Sequence, residues 1–285
     1  MRILICAEES AGIQTLRAAK ASEHEIVAVL TTPDDSKDER PGVTAAGLAS
    51  RFGFPVWYAE QVKDPDFATV IKEEAVDILL NVHSLHIVHE EVVNAPRVGA
   101  FNLHPGPLPR YAGMNAPSWA ILNGESSHGV TLHWMEAGID TGDIAWQEQF
   151  ELSPGETGLD VSRRCTRVGI ELIQKLLAAD PERIPREKQD FSRRTYHGFE
   201  RPFGGDLPWH SAALFEQFVR ACCFHPLPSP WGIPTIPFRD GTLGILEAAR
   251  TGEGCDLQPG NVECRGEKLF LATDDEWLEL KRTTM

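Results

Sequence analysis

Short apolar runs rich in β-branched residues occur at Arg2–Ala7, Glu25–Thr31, Pro55–Tyr58, Ile78–Val82 and Ala100–His104. Between them lie stretches whose apolar residues recur at three- and four-residue spacing, at Ala11–Ala21, Thr44–Phe52 and Asp64–Glu74. A continuous apolar run of strand length suits a strand buried on both faces, and the longer period suits an amphipathic helix. Their alternation predicts βαβ units and a parallel sheet. A Gly/Pro-rich passage, Pro105 to Gly113, then leads to a short helix predicted near Ala116–Asn123. Val130–Trp134 and Ile144–Glu151 flank a turn at Gly138–Asp143 and predict an antiparallel pair. Gly158–Ala179 has near-helical spacing, with Ser153, Pro154 and Thr157 as start signals, and predicts a long helix closing a first domain.

The pattern changes after that helix. Residues 180–206 are rich in Pro, Arg and Gly without a period, which predicts a connecting segment. Ser211–Cys223 reads as a helix, and the remaining short β runs, broken by Asp-Gly, Gly-Glu and Pro-Gly turns, predict a small β-barrel of Greek-key type. The expected domains are 1–179, an α/β sheet domain, and 207–285, a β domain.

Composition narrows the function classes. A chain of 285 residues fits one large domain or a domain with an appendage. No apolar run approaches the ~18–20 residues of a membrane span, and the first strand is followed at once by acids, so the expectation is a soluble, cytoplasmic protein. Lys and Arg total 27 against 42 Asp and Glu, a net charge of -15 that opposes a polyphosphate partner. The six cysteines lack a CxxC pair or a zinc-ligand spacing, which predicts free thiols in a reducing compartment.

The candidate chemistry sits in Phe101-Asn102-Leu103-His104-Pro105-Gly106-Pro107-Leu108-Pro109 and in Gly138-Ile139-Asp140-Thr141-Gly142. Asn102 and His104, two apart on a strand, share one face at the carboxyl end, where open α/β sheets place their ligands. A donor amide, an imidazole and a carboxylate form a complete set for acyl transfer, once folding brings in Asp140. Each residue alone is commonly structural, since His before Pro and Asp before Thr-Gly are frequent turn formers.

The surrounding pattern decides between these readings. Asn102, His104, Leu108-Pro109, Gly113, Ala120-Ile121 with Gly124, Gly129-Val130-Thr131, and Asp140 with Gly142 stand in the order seen in the formyltransferase family that uses 10-formyltetrahydrofolate, and the chain resembles that family over residues 99–145. The resemblance implies a Rossmann-like catalytic domain with a C-terminal OB-like β domain, and 10-formyltetrahydrofolate as formyl donor. It implies Asn102, His104 and Asp140 as catalytic residues. It also implies folate contacts from Ser84, Leu85, His86 and Ile87 and from Gly138, Ile139 and Asp140, and acceptor contacts from Pro105, Gly106, Arg110 and Tyr111. In the mechanism so implied, Asn102 and a protonated His104 stabilise the oxyanion, and Asp140 orients His104 and raises its pKa.

Departures bear on the acceptor. The family's common Ser-Leu-Leu-Pro loop is here Pro105-Gly106-Pro107-Leu108-Pro109, and its Arg-Gly is Tyr111-Ala112-Gly113. Where methionyl-tRNA formyltransferases carry a basic loop, this chain has the acidic Pro33–Arg40, and the acids Asp274, Asp275, Glu276 and Glu279 leave the second domain without a basic face. The expected acceptor is therefore a small or carrier-bound primary amine, such as an amino sugar nucleotide or a specialised-metabolite precursor, with Arg110, Arg193, Arg194 or Arg201 as cations for a phosphate. Nucleic acid and membrane are not expected as partners. The competing readings are a 10-formyltetrahydrofolate hydrolase, a methionyl-tRNA formyltransferase and a non-catalytic folate-binding module.

Other features add no separate chemistry. His83, His86 and His89 straddle a strand end without an HExxH pattern, so no metal is expected. The first strand is followed by Glu8-Glu9-Ser10-Ala11-Gly12 in place of a GxGxxG turn, which opposes a dinucleotide. Trp209, Phe215, Phe218, Phe224 and Trp231 are expected to serve as core.

Overall fold

A computed structural model describes residues 1–32, 43–84 and 86–284. The elements run β1 (Arg2–Ala7), α1 (Glu9–Lys20), β2 (Glu25–Thr31), α2 (Ala45–Phe52), β3 (Val56–Tyr58), α3 (Phe67–Glu73), β4 (Ile78–Val82), α4 (Glu90–Val93), β5 (Gly99–His104), β6 (Ala112–Gly113), α5 (Ala116–Leu122), β7 (Ser127–Trp134), β8 (Ile144–Glu151) and α6 (Gly158–Ala178). There follow β9 (Tyr196–His197), α7 (Ala212–Cys222), β10 (Thr235–Phe238), β11 (Gly241–Arg250), β12 (Val262–Arg265), β13 (Lys268–Ala272) and β14 (Trp277–Thr284).

Seven strands form one sheet in the order β3-β2-β1-β4-β5-β7-β8. The pairs from β3 through β5 are parallel, and β5 with β7 is antiparallel. Continuous apolar sequence explains why β1 and β4 lie in the middle: Ile3, Leu4, Ile5, Ile78, Leu79 and Leu80 are wholly buried. On one face Leu4, Leu30 and Leu79 pack with Phe67, Ile71 and Val92. The chain order reverses between β1 and β4, so the crevice beyond the carboxyl ends of these strands is the place this topology offers a ligand.

The apolar and amphipathic runs of the sequence correspond closely to these elements. Differences remain: α4, β6 and β9 have no counterpart among the predicted elements, and the helix expected over Asp64–Glu74 is the shorter α3, preceded by a 3-10 turn at Ala59–Lys63. Pro65 disfavours helical geometry at the residue before it and separates the two.

By contacts the chain forms two compact units: residues 1–113, 129–149 and 164–196, and residues 114–128, 150–163 and 197–285. In the second, α7 begins at Ser211, whose hydroxyl accepts from the backbone N–H of Leu214. It buries Ala212, Phe215 and Val219 against Ile236, Leu243, Ile245 and Leu278 of an antiparallel sheet ordered β10-β11-β14-β13-β12. Trp209 packs on Phe215 and Trp231 stacks over Phe218, in keeping with the structural role expected for these aromatics. The fold class is thus α/β, a Rossmann-like sheet with a small C-terminal OB-like β domain.

All six cysteines are free thiols. Burial pushes the Cys6 thiol up to about 12, so it is inert. Among the described residues no helix is long and apolar enough to cross a membrane.

Candidate active site

Strand register builds the site. Asn81 on β4 is the partner of Asn102 on β5, and Asn102 is in turn the partner of His133 on β7. His104 stands opposite Thr131. Opposed residues project from the same face, so three strands present one polar row near the carboxyl edge. Asn81 Nδ2 donates to Asn102 Oδ1 at 2.8 Å, and Asn102 Nδ2 donates to Asp140 Oδ1 at 3.2 Å. A carboxylate can only accept, so Asp140 fixes which end of the Asn102 amide faces it.

Asp140 reaches the row from the turn after β7, in a left-handed conformation with φ 52°. Its Oδ2 lies 3.4 Å from His104 Nδ1 and accepts the backbone N–H of Gly113 at 2.8 Å. Its Oδ1 lies 3.3 Å from His133 Nε2. The turn is held from outside: Gln189 Nε2 donates to the carbonyls of Asp140 (2.9 Å) and Gly142 (2.7 Å), and Arg194 donates to those of Asp140 and Ile139. These contacts stabilise a backbone geometry that costs a non-glycine residue about 1–2 kcal/mol.

The other ring nitrogen of His104, Nε2, sits 2.7 Å from the carbonyl of Tyr111, which makes it the donor. Gly106 leaves room for this ring: a Cβ there would lie 2.6 Å from Nε2. The Pro-rich loop is pinned by Thr131, whose hydroxyl donates to Gly106 O (2.7 Å) and accepts from the N–H of Leu108 (3.1 Å) and from Gln147 Nε2 (2.9 Å).

Burial dominates the electrostatics. His104 is 3 % exposed and Asp140 8 %. Removal from water pulls the His104 pKa down, although Asp140 and the Tyr111 carbonyl oppose this. The upward shift expected from the carboxylate alone is therefore corrected, because desolvation is the larger effect. Burial would by itself raise the Asp140 pKa, yet the two imidazoles and the Gly113 N–H hold it well below the usual carboxylate range. The arrangement is an ionised carboxylate beside an imidazole that resists charging.

Of the other residues anticipated from the sequence, Ile87, Gly138 and Ile139 are exposed and Ser84 and His86 half-buried. Ser84 Oγ accepts the N–H of His86, and Leu85 lies outside the described residues. Tyr111 is buried, so it meets the site through its carbonyl and not its ring. Pro105 and Arg110 are half-buried, and Arg110 lies over the Tyr111 ring. Arg194, a candidate for a ligand phosphate, is committed to the Asp140 turn, while Arg193 and Arg201 are exposed. His83 pairs with Glu9 and His89 caps α4 by accepting from Glu91. The acidic stretch 33–40 lies outside the described residues.

A family model described as formyl transferase matches residues 1–177, more than half of the chain. The protein is a member of the formyl transferase family. Its fold is similar to that of several solved structures. One is the N-formyltransferase from Helicobacter canadensis in complex with folinic acid and dTDP-3-aminofucose, with 19% identity, 99% of both chains covered and a TM-score of 0.70. Another is glycinamide ribonucleotide transformylase 1 from Symbiobacterium toebii, at 20% identity and TM-score 0.55, covering 67% of this chain and 94% of that one. A third is HypX from Aquifex aeolicus in complex with tetrahydrofolic acid, at 18% identity and TM-score 0.62, covering 99% of this chain and 44% of that one. As a formyl transferase the protein is an enzyme of one-carbon group transfer.

His133, Gln189 and the Tyr111 carbonyl were not singled out in the sequence. His133 had a partial signal, since it alternates with Thr131 on a predicted strand, but the pairing of that strand with the one carrying Asn102 comes from the structure. Gln189 had none.

Proposed function

We propose that this formyl transferase moves the formyl group of 10-formyltetrahydrofolate to the primary amine of a small or carrier-bound acceptor, with Asn102, His104 and Asp140 as its catalytic residues. The observation that carries the reading is the buried contact of Asp140 with both Asn102 and His104 at the carboxyl edge of the sheet. The folinic acid and tetrahydrofolic acid bound by the Helicobacter and Aquifex proteins support a reduced folate as donor, and the dTDP-amino sugar of the former supports a small acceptor.

Formyl transfer requires an amine nitrogen to attack the formyl carbon, an oxyanion to form, and the C–N bond to the folate nitrogen to break. In this reading an Asn102 N–H donates to the developing oxyanion. Substrate displaces the Tyr111 carbonyl from His104 Nε2, and the neutral ring then carries its hydrogen on Nδ1, which donates to Asp140. The bared Nε2 takes the proton that the attacking nitrogen loses, and Asp140, kept ionised, stabilises the imidazolium. That proton then passes to the leaving folate nitrogen as the C–N bond breaks, so the protein ends as it began. Folate contacts from 84–87 and 138–140 and acceptor contacts from Pro105, Gly106 and Arg110 complete the reading.

The test is release of tetrahydrofolate from 10-formyltetrahydrofolate across a panel of amines, including dTDP-amino sugars, aminoacyl carriers and methionyl-tRNA. Release that depends on a small or tethered amine, with the formylated product recovered, is the expected result. Equal release without any amine would instead make the protein a hydrolase, and saturable formylation of methionyl-tRNA alone would overturn the small acceptor.

A further inference from the structure

His133 is 2 % exposed and lies on the polar row, yet the reaction outlined above gives it no task. Its Nδ1 lies 2.7 Å from the carbonyl oxygen of Trp134. A carbonyl only accepts, so Nδ1 carries a hydrogen, and in the neutral ring Nε2 is then a bare lone pair. That Nε2 forms a triangle with Asn102 Nδ2 and Asp140 Oδ1, with sides of 3.1, 3.2 and 3.3 Å.

The hydrogens available to this triangle depend on one proton. Asn102 Nδ2 brings two, Asp140 Oδ1 brings none, and His133 Nε2 brings one only when the ring is charged. With His133 neutral, Nε2 and Oδ1 both need a donor, and the Asn102 amide gives one N–H to each. With His133 protonated, Nε2 donates to Asp140 across the 3.3 Å contact, its demand on Asn102 ends, and one amide N–H is free.

We propose that His133 is a positioning residue that controls the donor capacity of Asn102: neutral, it occupies an amide N–H; protonated, it releases that N–H for the substrate oxygen. This rests on the reading of Asn102 as donor to the oxyanion. The titratable groups that face His133 are Asp140 from the turn after β7 and, across the same carboxylate, His104 from β5. Asn102 and Asn81 are uncharged, His83 acts on the cluster through His104, and Arg194 faces it through the backbone of Asp140. One carboxylate between two rings accommodates one imidazolium readily, so a proton on His133 leaves His104 neutral and able to act as base.

Two measurements test the proposal. In the intact wild-type protein, 15N-detected titration of the imidazoles should find neutral His133 with its hydrogen on Nδ1, and the Asn102 side-chain NH2 resonances should shift with the same midpoint as His133 Nε2. A neutral ring with hydrogen on Nε2, or an Asn102 amide blind to the His133 titration, overturns the proposal without any activity measurement. In kinetics, His133→Leu removes the competing acceptor, so kcat should lose the alkaline fall that wild type shows as His133 deprotonates. That fall is bounded by the ~10²–10³-fold value of one oxyanion donor. Unchanged alkaline behaviour in a folded His133→Leu protein would also overturn it; if that variant does not fold, the titration decides alone. Asn102→Ala separates the two readings: full turnover in it would sink Asn102 as donor, whereas an inactive Asn102→Ala with an Asn102 amide indifferent to His133 would sink only the role given to His133.

Discussion

Gly142 lies so close beneath the Trp134 carbonyl that a Cβ at position 142 would overlap the carbonyl oxygen. That same oxygen accepts from His133 Nδ1, so the glycine of the Asp-x-Gly turn sets where an imidazole in the site is anchored. Gly142→Ala is expected to destabilise the protein by about 1–3 kcal/mol, the usual cost of overpacking, and to lower turnover in the fraction that remains folded. Urea unfolding alongside a formyl-transfer assay checks both; an unchanged midpoint would refute the contact.

Asn102→Ala and His104→Ala are each expected to reduce kcat by about 10²–10³-fold, the typical loss for one preorganised donor or acid–base group. Asp140→Asn should do likewise through His104. Because Asn102 and His104 sit towards the carboxyl end of β5 and Asp140 in the turn after β7, outside the apolar core, cooperative unfolding should persist, and circular dichroism melts of the three variants provide the control. Near wild-type turnover in His104→Ala would remove the site assignment.

Gln189 is buried and donates one nitrogen to two carbonyls of the Asp140 turn. Replacing it by Leu strands the Gly142 carbonyl, at a cost of about 1–3 kcal/mol, while the Asp140 carbonyl keeps its bond from Arg194. The expected kinetic signature is a drop in kcat larger than any change in the amine KM, since the turn positions the carboxylate. A Gln189→Leu protein with wild-type stability and rate would show that the turn keeps its shape unaided.

Acid should weaken the fold through His104. Its folded pKa lies below the ordinary 6.5, so the unfolded chain binds the proton more readily than the native one. The sign follows: stability from this group is fully present above pH 6.5 and falls as pH drops below it, by at most about 1.4 kcal/mol per pH unit for one proton. Asp140 adds a second loss only below its unfolded value of 3.8. Urea midpoints measured between pH 7.5 and 5 should decline less steeply in His104→Gln than in wild type; parallel slopes would refute the assignment.

The sequence made the Asn102–His104 pair legible because a strand period of two needs no tertiary knowledge, and Asp140 was found through its family motif. The strand ranges β1, β2 and β4 were readable from apolar runs alone, and that of β8 from its place after the Gly138–Asp143 turn. What escaped depended on register or on burial. That His133 faces Asn102 follows from which strands pair and in what alignment, information absent from either strand by itself. The direction of the His104 shift was misread for a similar reason: a carboxylate neighbour is visible in a motif, but the extent to which water is excluded is not. Gln189 comes from an aperiodic stretch, where side-chain to backbone bonds leave no pattern.

The antiparallel pairing of β5 with β7 also bears on how such a protein can diversify. His104 ends one strand and Thr131 lies across from it, so the intervening excursion leaves and re-enters the sheet at adjacent points, tied at its base by the Thr131–Gly106 bond. The entropy of closing an excursion grows only slowly with its length, so it can be lengthened at exposed points such as Asn123 and Gly124, whereas α5, with Ala116, Ala120 and Ile121 buried, can be exchanged only with its packing. Asn102 and His133 would remain side by side through such an exchange. Grafting the excursion from one family member to another would therefore transplant Pro105, Gly106 and Arg110 as a block, and with them the Tyr111 carbonyl and the Gly113 N–H that touch His104 and Asp140.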